Sequence, residues 1–350
     1  MEVSQQLKEN IVRKCKRKER IDLIVKSIFL FIAIVCASVV IFIIIFILIK
    51  GIYPFINNYS TDPNVVIRQD FSQFFINSNW LYNGQGGMFF LLLTTLYTTL
   101  LSLIISVPLS IFTALFVSRI APKILKVSLR EVVNILAAIP SVIFGLFGKG
   151  VICPIVFNVI PIQTAGGQSI LSAVIILALM TVPTMTTLAI DAMEAVSPSL
   201  NDASIALGAS KAQTNMKIIV RSAQSGIFAG IILGIGRALG EATAVQMVIG
   251  GGSNGTGFLD IFNIGSTLTS AMLSGIGEAS GIGYDVRFSL GIVLMLVILI
   301  INFLLNFIKN RMGKINKKPS KHYIKKIFNK VIDECKDLIM KAKIYVKIKK

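Results

Sequence analysis

Apolar residues fall in six long runs, separated by polar, charged or glycine-rich stretches. The runs cover roughly residues 27–49, 88–117, 132–159, 170–192, 226–250 and 288–308. Each is long enough to cross a hydrocarbon core of ~30 Å as a helix. The first is longer than the apolar part of a signal peptide, and no small-residue cleavage site follows it, so it is read as an uncleaved first span. Pro108 and Pro183 should kink the second and fourth spans. The third run is interrupted by Pro140, Gly145, Gly148, Lys149 and Pro154. It is either one kinked helix or a helix followed by a partly buried loop. Trp80 and Tyr82 stand just before the second run, where aromatic side chains commonly mark the membrane interface.

Composition agrees with this pattern. Of the 350 residues 54% are hydrophobic, and the mean hydropathy is +0.77, which a soluble domain rarely reaches. The net charge of +18 suggests nucleic-acid binding at first sight. The basic residues, however, sit beside the apolar runs rather than on a polar domain, so no nucleic-acid partner is expected. They cluster in residues 1–26, at 119–130, at 211–221 and from 309 onward; Lys50, Arg68, Lys149, Arg237 and Arg287 are the exceptions. With six spans, every cluster falls on one side, which the positive-inside rule makes the cytoplasm, with both termini there. The organisation expected is a basic arm over 1–26, a transmembrane domain over 27–308 with a polar loop at 193–225, and a basic tail over 309–350.

In the tail, Tyr323, Ile324, Ile327, Phe328, Val331, Ile332, Cys335, Leu338 and Ile339 recur at helical spacing between lysines. Such a basic amphipathic helix either lies on anionic membrane lipids or packs on a partner subunit. Cys15, Cys36, Cys153 and Cys335 form no CxxC, and the single histidine, His322, has no clustered ligand, so no metal site is expected. A phosphate-cradling GxxxxGK[ST] loop is absent, so any nucleotide hydrolysis must come from another chain.

Candidate chemistry concentrates in residues 202–251. Two short helical segments flank Gly208, at about 202–207 and 210–219, and glycine can supply the turn between them. This loop is too long and too structured for a plain connector. It either docks on a soluble partner or packs on the protein's own spans. The fifth run then carries Arg237 and Glu241. At about 1.5 Å per residue Arg237 lies roughly 20 Å from a helix start near Ser222, with Glu241 one turn further on the same face. Charges at that depth are expensive and should face the protein interior or a water-filled cavity. Arginine offers an oxyanion a planar fork of donors; Glu241 would either hold that fork or compete with the anion. The alternative is a structural ion pair between helices. Gly226, Gly230 and Gly234, and likewise Gly236 and Gly240, recur every four residues, a spacing that lets membrane helices pack closely.

Residues 202–220 also carry a resemblance. Asp202-Ala203-Ser204, three residues, Gly208, nine residues, Ile218 and then Val220 resemble the EAA loop of ABC-importer permeases. Asp202 stands for the usual Glu, Ser204 for an Ala, Val220 for a Leu and Arg221 for a Pro. GRALGEATAVQMVIGG (236–251), AAIPSVIFGLFG (137–148), STLTSAMLSGIGEASG (266–281) and the entry to the second run are similar to phosphate-specific permease subunits of the PstC type. The arm and tail lie outside these motifs. The resemblance implies an all-α, six-helix type I ABC importer permease in the bacterial cell membrane. It also implies a second permease subunit of the PstA type, an ATPase dimer of the PstB type on the loop, and an extracytoplasmic phosphate-binding protein of the PstS type. ATP and magnesium would be held by the ATPase, and no cofactor or catalytic residue by this chain. Sulfate or molybdate as the transported anion, or a channel or sensor, are the competing readings.

Overall fold

In the computed structural model, which describes residues 2–60, 67–77, 79–80, 86–159, 165–252 and 260–315, the apolar runs are helices and several polar flanks continue them. Helix α1 is Glu2–Ile56 and α2 is Phe71–Ile76; α3, Phe89–Leu115, passes into a wider π-helical turn at Phe116–Ile120. Then come α4 (Lys123–Ala138), α5 (Ser141–Phe147) and α6 (Cys153–Val159), the last two joined by a π-helical turn. Helix α7 is Ile170–Glu194, α8 Pro198–Ala206 and α9 Lys211–Gln213; a further π-helical turn leads into α10, Val220–Gly240. Helices α11 (Thr243–Val248), α12 (Leu268–Leu273) and α13 (Ile282–Ile315) complete the described chain. Among the described residues six stretches are long and apolar enough to span: Ile24–Ile56, Phe89–Ile120, Ser141–Val159, Ile170–Glu194, Lys211–Gly240 and Ile282–Lys309.

Two spans depart from the sequence reading. The third begins at Ser141, not near 132. The residue before a proline is pushed out of the α region, and Ile139 accordingly adopts φ −63°, ψ 128°. Pro140 thus splits the run, and α4 becomes a separate helix. The fifth span starts earlier and ends at Gly240 rather than near 250. Its polar start contains no glycine or proline, so the helix continues from Lys211 through residues that hydropathy alone assigns to the loop.

The chain forms two units, each assembled from separate segments. The first comprises the described residues within 2–102, 140–178 and 239–297. Its core joins Phe74, Trp80, Met88, Phe90 and Leu91 to Leu268, Val286 and Leu290. Trp80 is only 1% exposed, which corrects its reading as an interfacial residue: the segment before α3 folds back, and the indole fills the core. Tyr82 lies outside the described residues. Helix α1 and the segment just after it are fastened to α13 by polar contacts. Lys50 Nζ lies 3.3 Å from Asp285 Oδ1, the Tyr59 hydroxyl donates to Asp285 Oδ2 at 2.6 Å, and Ser289 Oγ donates to the Gly51 carbonyl at 2.6 Å. Burial, then the hydrogen bond to Asp285, pushes the Tyr59 phenol well above its ordinary range.

Among the described residues, the second unit comprises 103–139, 179–238 and 298–315. Ala114, Leu115, Ile190, Met193, Ile219, Ala223 and Ile227 form its core. Glycines on α10 face α7. A Cβ at Gly226 would lie 2.4 Å from the Ala192 Cβ, one at Gly230 3.1 Å from the Leu188 Cβ, and one at Gly234 2.0 Å from the Met185 Cε. At Gly236 and Gly240 a Cβ would meet nothing within 4 Å, so these two depart from the packing role expected of all five. Arg130 bonds both Asp191 and Glu194, and Lys126 reaches Glu194 at 2.8 Å, tying α4 to the end of α7. The tail expected as an amphipathic helix, from Tyr323 to Ile339, lies outside the described residues.

Candidate functional site

Arg237 belongs to the second unit and lines a cavity of about 700 Å³. Helix α10 supplies Leu233, Gly236 and Arg237, α7 supplies Thr184, and α13 supplies Asn302 and Asn306. The guanidinium Nη1 donates to the Thr184 hydroxyl at 2.6 Å. That bond fixes one arm of the fork and leaves the hydroxyl proton free to donate in turn. Thr184 directly follows Pro183, which removes a rung from the ladder of α7. Gly236 borders the same space, and the absence of any atom near its missing Cβ keeps the wall beside Arg237 open. A cationic fork in a cavity between apolar helices favours an anion and disfavours a cation.

Glu241 is placed differently from the sequence expectation. Helix α10 ends at Gly240, so Glu241 is not one turn further along the same helical face as Arg237. It belongs to the first unit and caps the start of α11: Oε1 accepts from the Ala244 amide at 3.1 Å and the Thr243 hydroxyl at 3.0 Å. Unpaired amides at a helix start are satisfied by such acceptors. Thr243 in turn shares a 2.9 Å contact with Ser141 at the head of α5, and Thr269 donates to the Glu241 carbonyl at 2.8 Å. Glu241 is thus the centre of a polar junction joining α5, α11 and α12.

The loop at 193–225 is a helical hairpin. Pro198 opens α8, where its missing N–H costs nothing. Gly208 turns the chain at φ +85°, a conformation that residues with a Cβ resist. Its amide donates to the Ile205 carbonyl at 2.9 Å. Ser210 and Gln213 then form a reciprocal capping box that starts the next helix. The two arms are joined by a buried 2.9 Å contact between the hydroxyls of Ser204 and Thr214. Asp202 and Ala203 are exposed, Ile218 is half-buried, and Leu200, Ile205 and Leu207 present apolar side chains outward, Leu207 at 90% exposure. The second arm does not end before the fifth span but runs into it, as one helical stretch from Lys211 to Gly240.

Thr184, Asn302 and Asn306 are cavity residues that the sequence reading did not single out. The asparagines had a visible signal: two amides four residues apart, hence on one helical face, inside an apolar run.

The described residues thus define a multi-pass helical membrane protein with an arginine-lined cavity. The chain superposes on a bacterial ABC transporter involved in the import of the acidic polysaccharide alginate, with a TM-score of 0.55 and 16% identity over 83% of this chain and 99% of that one. Residues 106–314 match the family described as binding-protein-dependent transport system inner membrane component, and the chain belongs to that family. Among curated relatives, it is 35% identical to the "Probable ABC transporter permease protein YqgH" of Bacillus subtilis, over 51% of this chain and 57% of that protein. It is 31% identical to the "Probable phosphate transport system permease protein PstC" of Methanocaldococcus jannaschii, over 51% and 61%. The chain thus spans about three fifths of the length of these relatives.

Proposed function

We propose that this chain is a permease subunit of an ATP-driven importer of inorganic phosphate and forms part of the anion's path across the membrane. The observation that carries this reading is Arg237, a guanidinium held by Thr184 in a cavity lined by three apolar helices. Its membership of the binding-protein-dependent family supports import, and relatives named as phosphate permeases support phosphate over sulfate or molybdate. The chain acts as the membrane component, while ATP and magnesium are held by a separate ATPase dimer of the PstB type. That ATPase docks on the 193–225 hairpin, where the outward Leu200, Ile205 and Leu207 offer apolar area to bury. A second permease of the PstA type completes the path, and a PstS-type binding protein delivers the anion to the opposite face.

The direct test is ATP hydrolysis by the reconstituted complex in the presence of its binding protein. Phosphate is expected to stimulate hydrolysis, with sulfate and molybdate ineffective as substitutes or competitors. Stimulation by sulfate or molybdate but not by phosphate would overturn the substrate assignment.

A further inference from the structure

The wall of the Arg237 cavity contributed by α13 carries two carboxamides, Asn302 and Asn306. Asn302 and Asn306 lie one helical turn apart inside the last span, and both line the cavity. Among the described residues neither side-chain amide has a hydrogen-bond partner. Asn302 is half-buried and Asn306, three residues before the end of the span, is exposed; an amide inside a span is costly unless water, a ligand or another chain satisfies it. Here both amides border the space that Arg237 and Thr184 border from the other helices.

The chemistry of the four groups is complementary to one type of anion. Arginine only donates, whereas asparagine offers both an NH2 donor and a carbonyl acceptor, and the Thr184 hydroxyl has a proton left to give. An anion made of bare oxygens, such as sulfate or molybdate, needs donors alone. Phosphate near neutral pH carries at least one hydroxyl, which must itself donate to an acceptor. A cavity with a single fixed cation and two carbonyl acceptors satisfies that hydroxyl. A site built of arginines and lysines would not.

We propose that Asn302 and Asn306 form the discriminating wall of the anion cavity: their carbonyls accept from the hydroxyl of a protonated tetrahedral oxyanion, while their NH2 groups, Thr184 and Arg237 donate to its bare oxygens. This rests on the reading of the Arg237 cavity as the anion path. It places part of the selectivity in the permease itself, downstream of any binding protein.

The test uses the assembled complex with Cys15, Cys36, Cys153 and Cys335 replaced by serine and a reporter thiol at Ala229→Cys, on the cavity wall. The rate of labelling by a charged methanethiosulfonate reagent is measured with phosphate, arsenate, sulfate or molybdate. Phosphate and arsenate, both hydroxyl-bearing, are expected to protect the thiol at concentrations about tenfold lower than sulfate or molybdate, the factor one net hydrogen bond supplies. In the Asn302→Ala/Asn306→Ala double variant the four anions should protect alike, with Arg237 still required. If the double variant keeps the preference for phosphate, the discriminating role is wrong and the Arg237 path stands. If no anion protects even when both asparagines are present, the cavity is not the path and both readings fall. If the double variant loses the second permease subunit while its anion preference is unchanged, the amides serve subunit contact, and the inference is overturned.

Discussion

At the scale of single residues, Arg237 and Glu241 are separated by the end of a helix, and their roles separate with it. Arg237 offers a planar fork, so Arg237→Lys keeps the charge but loses the geometry. Phosphate uptake by cells carrying that variant should fall at least about tenfold, the effect of one lost charge-assisted hydrogen bond. Glu241 caps α11 through one carboxylate oxygen. Glu241→Ala should therefore cost about 1 kcal/mol of stability, as lost caps do, read as a lower unfolding temperature of the purified complex. Glu241→Gln keeps an acceptor in place and should leave that temperature nearly unchanged. If Gln also leaves uptake intact, the carboxylate charge has no part in the path. Arg237 was legible in the sequence because a charge inside an apolar run is conspicuous. The position of Glu241 was not, since Gly240-Glu241 within an apolar run has the same pattern whether the helix continues or stops. Trp80 shows the same limit: an interfacial and a core tryptophan share one sequence context before a span, and only tertiary packing distinguishes them.

At the scale of elements, the spacing of glycines on α10 matters less than what faces each of them. A Cβ at Gly226 would meet the Ala192 Cβ at 2.4 Å, with no flexible side chain to move aside. Gly226→Ala should destabilise by about 1–3 kcal/mol, as overpacking does. Gly236→Ala meets nothing and should stabilise the helix by up to about 1 kcal/mol. Thermal unfolding of the two variants side by side distinguishes them, and equal effects would contradict the α7–α10 contact. In the loop, Gly208→Pro asks a ring fixed near φ −65° to sit at φ +85° and removes the amide that bonds Ile205. Loss of ATPase copurification with the span helices still folded is the expected outcome; unchanged copurification and unchanged coupled hydrolysis would count against docking at the hairpin. Gly208 was legible as a break between helix-forming arms. The continuation of the second arm into the fifth span was not, because hydropathy marks where a helix is apolar and not where it begins. The third span shows the converse: Pro140 was visible, but whether it bends or ends the helix depends on what α5 packs against, and Gly145 resting on Met247 and Ala244 lets α5 start afresh.

At the scale of the whole molecule, we propose that the hairpin and both termini lie on the cytoplasmic face, as the positive-inside rule implies for six spans with this distribution of lysine and arginine. Single cysteines in the 193–225 hairpin should then react only with membrane-permeant reagents in intact cells, and cysteines in 260–281 with impermeant ones; the reverse pattern would invert the topology. Family membership says that the chain is a transport-system membrane component, and phosphate as its anion is a proposal supported by the Arg237 cavity and the named relatives. The measurement that bears most directly on this is uptake of radiolabelled phosphate into proteoliposomes holding the complete complex, with the binding protein outside and ATP inside. Phosphate should accumulate, sulfate and molybdate should not, and Arg237→Ala should abolish accumulation while every subunit still copurifies. Normal phosphate uptake in the fully assembled Arg237→Ala complex would contradict the path proposed for this chain.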